Sequence, residues 1–125
     1  MGLILKKLRI AGDKGETRLE VLFDTGASAS FIRSDVVNKI ATTLKLPSPE
    51  TYTLGDGVGK LRVTETAVLY VYVEGVRISD NFIVSPRLSE PVIIGASTLQ
   101  KWRIKLDLEE ERIIVDKRMT RLLLA

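Results

Sequence analysis

The chain has 125 residues, a formal net charge of +3 and a sequence pI near 9.3, and 45% of its residues are hydrophobic, which is the size and apolar content of one ordinary domain with a core, over residues 1–125. It has no histidine and no cysteine, which removes Ser-His-Asp and Cys-His catalysis, disulfides and the usual zinc sites, and leaves acid–base chemistry to Asp, Glu, Lys or Tyr. No apolar run is long enough to span a membrane, and the basic residues are spread, apart from a small cluster at Lys117, Arg118 and Arg121, rather than gathered into a nucleic-acid-binding stripe.

In chain order, Met1-Gly2-Leu3-Ile4-Leu5-Lys6-Lys7 puts its basic residues after a very short apolar stretch, the wrong order for a secretory signal, and Lys6 breaks the Gly2 myristoylation pattern. A cytoplasmic protein is the expectation, with no nucleic acid and no membrane as partner. Leu3 to Ile10 and Thr17 to Phe23 read as strands joined by the turn Gly12-Asp13-Lys14-Gly15, and Leu19, Val21 and Phe23 alternate with Arg18, Glu20 and Leu22. A helix is predicted next, with Ser34 as its cap, Asp35 in its first turn, an apolar side of Val36, Val37, Ile40 and Leu44, and an end before Pro47 and Pro49. Thr51 to Leu54 and Leu61 to Thr66 flank the glycine-rich tip Gly55-Asp56-Gly57-Val58-Gly59. Ala67 to Val73 and Val76 to Val84 flank Glu74-Gly75, a second hairpin signal. Pro91 to Gly95 reads as a short buried strand, Ala96 to Trp102 as a short helix, and Ile104 to Leu108 with Arg112 to Val115 as a last hairpin before the apolar tail Arg121-Leu122-Leu123-Leu124. No linker, repeat or low-complexity segment interrupts the pattern.

The informative segment is Val21-Leu22-Phe23-Asp24-Thr25-Gly26-Ala27-Ser28, an apolar strand that runs into a carboxylate and then into small residues. An Asp at a strand end is ordinarily a turn former or a helix cap. Here Gly26 permits a sharp turn and close approach, and Ala27 and Ser28 leave room beside the carboxylate.

Asp-Thr-Gly-Ala-Ser after apolar residues resembles the active-site signature of aspartic proteases. Three further features stand in the order that family has them: Ser30-Phe31-Ile32 as the following strand, Gly55 to Gly59 at the flap, and Val92-Ile93-Ile94-Gly95 followed by a short helix beneath the catalytic loop. The resemblance covers about Leu19 to Leu108. Asp-Thr-Gly occurs once, and Asp56-Gly57 lacks a preceding apolar strand. One signature in a chain of this length is similar to the retropepsins, in which the second Asp comes from a symmetry mate.

The resemblance implies an all-β, retropepsin-like closed barrel or sandwich of short antiparallel strands with one main short helix, active as a homodimer on a peptide or protein substrate. It implies that Asp24 is catalytic, that Thr25 makes inter-subunit hydrogen bonds and that Gly26 offers its backbone to substrate, with Ala27 in support. It implies that Gly55, Asp56, Gly57, Val58 and Gly59 form a substrate-binding flap, and that no metal or other cofactor is needed. Two departures from viral enzymes stand out: the acid Asp56 at the flap tip, and Ala96-Ser97-Thr98 after Gly95, where viral enzymes commonly carry Arg or Asn followed by Asp or Leu. The rival reading is a non-catalytic retropepsin-fold module for dimerisation or peptide binding; an intact Asp24-Thr25-Gly26 speaks against it.

Overall fold

A computed structural model describes residues 2–53 and 57–120. The chain opens on a hairpin of β1 (Leu3–Ala11) and β2 (Glu16–Asp24), closed by the Gly12–Gly15 turn, in which Gly12 N–H donates to Gly15 O at 2.9 Å. Then come β3 (Phe31–Arg33), the one-turn helix α1 (Ser34–Val37), β4 (Leu44–Thr53), β5 (Lys60–Val73) and β6 (Val76–Ser85). The chain continues through β7 (Val92–Ile94), helix α2 (Ala96–Lys101), the small hairpin β8 (Lys105–Asp107) with β9 (Arg112–Ile114), and a 3-10 turn at Lys117–Thr120.

Hydrogen bonding orders the main sheet β1-β2-β7-β3-β6-β5-β4, and β5 also pairs with β1 at Ile10↔Val71 and Ala11↔Tyr70. That pairing closes six strands into a barrel and leaves β4 as an extension on β5. Closure removes most unpaired strand edges. Period-two alternation fills the interior: Ile4, Ile10, Val21, Phe23, Leu69, Val71, Ile78, Phe82, Val92 and Ile94 are all buried in one cluster. The β5–β6 turn has two residues, Glu74 and Gly75, both at positive φ (48° and 80°), the primed-turn geometry that matches strand twist, and Gly75 carries it without a Cβ penalty.

The four hairpins and the short helix after Gly95 lie where the sequence places them, although β4 starts at Leu44 rather than Thr51. Two readings are corrected. Leu61–Thr66 and Ala67–Val73 are one continuous 14-residue strand, β5, which serves β4 with its first half and β6 with its second. The predicted main helix is a single turn: Arg33, not Ser34, occupies its cap, with no side-chain cap bond, and Leu44 lies exposed in β4. The physical reason is a competing tether. The Asp13 carboxylate accepts from Thr42 N–H at 2.7 Å and from the Thr42 hydroxyl at 2.5 Å, which pulls the chain into an extended path. Val37, Ile40 and Ala41 are already buried by then, so further helix would bury little more. Pro47 and Pro49 are tolerated because the β4–β5 register shifts between Lys45 and Glu50, on a strand with one free side.

Candidate active site

Asp24 closes β2, and the antiparallel register sets its direction. Ile4 and Phe23 are partners and both buried, so their neighbours Leu3 and Asp24, also partners, face away from the core; Leu3 is exposed and Asp24 half-buried. The chain then turns tightly. Gly26 N–H donates to Asp24 Oδ1 at 2.8 Å and Ala27 N–H to Asp24 O at 3.2 Å. The first bond uses one carboxylate oxygen and leaves the other without a protein donor among the described residues. Thr25 and Gly26 are exposed, and Ala27 is half-buried. Thr25 is tied to the start of its own chain: its N–H donates to Gly2 O at 3.1 Å, and its hydroxyl accepts from Gly2 N–H at 2.9 Å and lies 3.5 Å from Gly2 O.

The loop rests on the segment after β7. Ala96 N–H donates to Ala27 O at 2.7 Å and Ser97 N–H to Ser28 O at 3.2 Å. Gly95 passes so close that an added Cβ would sit 2.2 Å from Ala29 O and 2.7 Å from Ala27 O. No other residue fits there without moving main chain. Ser30 ends the loop buried, and its hydroxyl accepts from Gly95 N–H at 3.0 Å and lies 2.6 Å from Thr98 Oγ1, which donates to Asp80 Oδ2 at 2.7 Å. Sequence reading missed the roles of Ser30, Thr98 and Asp80. Their partnerships span 68 and 18 residues, and only Asp80 leaves a local trace, an acid in a run whose alternate members Val76, Ile78, Phe82 and Val84 are buried.

A second apolar cluster joins this loop to the glycine-rich hairpin. Phe31, Leu61, Val63 and Ile83 are buried together, with Ala29, Tyr52, Leu88 and Ile93 packed on them. Tyr52, near the hairpin end, meets the Phe31 ring edge-on at 5.2 Å. Burial, followed by the neighbouring Glu50 carboxylate, which accepts the phenol's hydrogen bond at 3.0 Å, pushes Tyr52 up to about 12. Of the five tip residues singled out by sequence, Gly57, Val58 and Gly59 are described, while Gly55 and Asp56 lie outside the described residues, as does the tail Arg121 to Leu124. Gly57 adopts φ +78° with nothing within 4 Å of where a Cβ would be, and Val58 is 81% exposed. Beside the loop, Thr25, Leu99, Ile104 and Leu106 contribute to an open cavity of about 490 Å³. Among the described residues no group of three or more acids is placed to hold a metal ion.

The profile of a family described as retroviral aspartyl protease matches residues 15–121, which includes the whole Asp24 loop and its support. The chain belongs to the retroviral aspartyl protease family. Solved structures agree on the fold. The retroviral protease-like domain of Ddi1 from Leishmania major superposes with a TM-score of 0.62 at 16% identity, over 93% of this chain and 90% of that one. The EIAV protease, in complex with the inhibitor HBY-793, superposes with a TM-score of 0.56 at 22% identity, over 83% of this chain and 91% of that one. No curated protein sequence matches significantly. The retropepsin-like barrel inferred from Asp24-Thr25-Gly26 and its downstream features is therefore the fold of this family, and its members are typically dimeric with peptide substrates.

Proposed function

We propose that this chain is one subunit of a homodimeric aspartic endopeptidase. The observation that carries the reading is the placement of Asp24: a half-buried carboxylate at the end of β2, turned away from the core, with one oxygen fixed by the Gly26 N–H inside an Asp-Thr-Gly turn. With one such turn per chain, a two-fold axis would supply the second carboxylate from a copy. Two carboxylates that close cannot both ionise cheaply, so the pair shares a proton. The ionised member takes a proton from a bound water as that water attacks the scissile carbonyl carbon. The protonated member donates to the carbonyl oxygen, and the departing amine is protonated as the tetrahedral carbon collapses. Neither a metal nor a covalent enzyme intermediate enters this sequence.

The surroundings support the reading. The Thr25 hydroxyl accepts from Gly2 N–H at 2.9 Å and donates to Gly2 O only at a long 3.5 Å, a weak bond that a better-placed acceptor on a partner subunit would displace. The cavity beside Thr25 offers that partner an apolar surface. The hairpin whose base packs on Phe31 is anchored to the Asp24 loop's own cluster, as a flap must be if it is to close over substrate and exclude water.

Asp24→Asn is the test. It removes the shared proton and the general base while keeping shape, so peptide cleavage should fall by about a thousandfold or more, with fold and dimer intact by circular dichroism and sedimentation. Undiminished cleavage by the pure variant would reject the assignment. A native protein that dimerises and binds peptides yet cleaves none of a diverse peptide library would favour the non-catalytic module. A structure of the dimer should place both Asp24 carboxylates on one shared water.

A further inference from the structure

The inward-facing register of β6 runs Val76, Ile78, Asp80, Phe82, Val84, and Asp80 stands opposite the fully buried Leu69. An acid at a core-facing position costs stability unless polar partners meet it. Asp80 has three: the Thr98 hydroxyl at 2.7 Å and, at its other oxygen, the Asn81 N–H at 2.9 Å and the half-exposed Lys101 ammonium at 3.7 Å. Thr98 and Ser30 are themselves 0% and 2% exposed.

The directions of these bonds follow from donor inventory. An ionised carboxylate only accepts, so Thr98 spends its single proton on Asp80. The 2.6 Å contact between Thr98 and Ser30 must then run from Ser30 to Thr98. Ser30, its proton committed, is left as the acceptor for Gly95 N–H at 3.0 Å. Gly95 is the residue jammed against Ala27 O and Ala29 O, and its neighbours Ala96 and Ser97 donate to Ala27 O and Ser28 O. One acid thus orients two hydroxyls and fixes the main chain on which the Asp24 turn rests.

We propose that Asp80, acting through Thr98 and Ser30, is a positioning residue that holds the Asp24 loop in its working geometry. The catalytic part of this inference rests on the endopeptidase reading of Asp24; the structural part does not. A purely structural acid at this place would be dispensable, since an apolar side chain suits a core-facing position of β6 and often stabilises it.

The experiment compares Asp80→Leu, Thr98→Val and Asp80→Asn with the native protein by thermal unfolding, amide exchange and peptide-cleavage kinetics. Asp80→Leu should unfold at or above the native temperature. In it and in Thr98→Val, exchange at Gly95 should quicken by about tenfold or more relative to the β1–β2 hairpin amides, and the Gly26 amide resonance should shift, because that N–H reports on Asp24 Oδ1. With KM within about twofold, kcat should fall between about 10-fold and 100-fold, the scale of a small misplacement of a reacting group. Asp80→Asn keeps an acceptor oxygen toward Thr98 and should restore all three readouts to within about twofold. Unchanged Gly95 exchange and Gly26 shift in both Asp80→Leu and Thr98→Val would overturn the proposal. So would a loss of stability in those variants without loss of kcat per folded molecule. If the native protein cleaves nothing, the endopeptidase reading fails on its own, and the Gly95 and Gly26 readouts still decide whether Asp80 sets the loop.

Discussion

The Asp24 loop and the glycine-rich hairpin tip are both short, glycine-bearing and attached to one apolar cluster, yet they are built in opposite ways. The loop is bonded at nearly every residue: to itself through Gly26 and Ala27, to Gly2 through Thr25, and to Ala96 and Ser97 through Ala27 and Ser28. Its critical glycine, Gly95, exists to let two main chains touch. At the hairpin, Gly57 has open space where a Cβ would sit and adopts a positive φ. In the proposed endopeptidase the first arrangement fixes a carboxylate within the narrow tolerance that acid–base chemistry needs, and the second is the flap.

Gly95→Ala should break this contrast most severely. The new methyl would sit 2.2 Å from a backbone oxygen, so the loop must move. The expected loss is more than about 3 kcal/mol, beyond ordinary overpacking. Urea unfolding measures it, and a loss under about 1 kcal/mol would mean that loop and strand are not truly locked together. Phe31→Ala probes the hinge between the two regions. Removing a buried ring that meets Tyr52 should cost about 3 kcal/mol and loosen both the hairpin base and the Ala29 end of the loop. If amide exchange quickens at only one of the two, they are not mechanically joined. Gly57→Ala meets no clash and carries only the backbone penalty at φ +78°, about 1–2 kcal/mol. The same penalty falls on the ordered turn, so exchange at Gly57 to Lys60 should quicken by a similar factor.

The same contrast explains what was legible in sequence. Strands announced themselves because their cores alternate with period two, and the turns at Glu74-Gly75 and Gly12 to Gly15 because positive φ or close approach selects residue type. Asp24-Thr25-Gly26 was legible because it is contiguous and follows an apolar strand, and Gly95 because a short apolar run precedes it. The helix after Arg33 was over-extended, since periodicity at Val36, Val37 and Ile40 cannot reveal that Asp13, 29 residues away, captures Thr42. The Ser30–Thr98–Asp80 chain escaped for the same reason. Small hydroxyls carry no local signature of burial, and only the break in β6 alternation at Asp80 pointed to it.

A third glycine turn lies between the two extremes and can be graded by pH. Gly12 is a close-approach glycine, with a notional Cβ 2.3 Å from Ile40 O, but the tie beside it is a titratable one: Asp13 accepts two bonds from Thr42. The Thr42 hydroxyl first, and then its N–H, hold the Asp13 carboxyl below its ordinary 3.8. A carboxyl whose folded value is depressed contributes stability that is complete above the unfolded value and is lost as pH falls through the folded one. The gap in urea stability between the native protein and Asp13→Ala should therefore be full at pH 5 and above. It should start to close as pH drops below about 4, and narrow further toward pH 2. Asp13→Asn should retain the bond from Thr42 N–H and reverse the other, its amide donating to the Thr42 hydroxyl, and its stability difference from Asp13→Ala should not change over that range. The turn is exposed, so this is the smallest of the effects, but its sign is fixed. A native–Ala gap that widens on acidification would mean that Asp13 is not what diverts the chain from helix into β4.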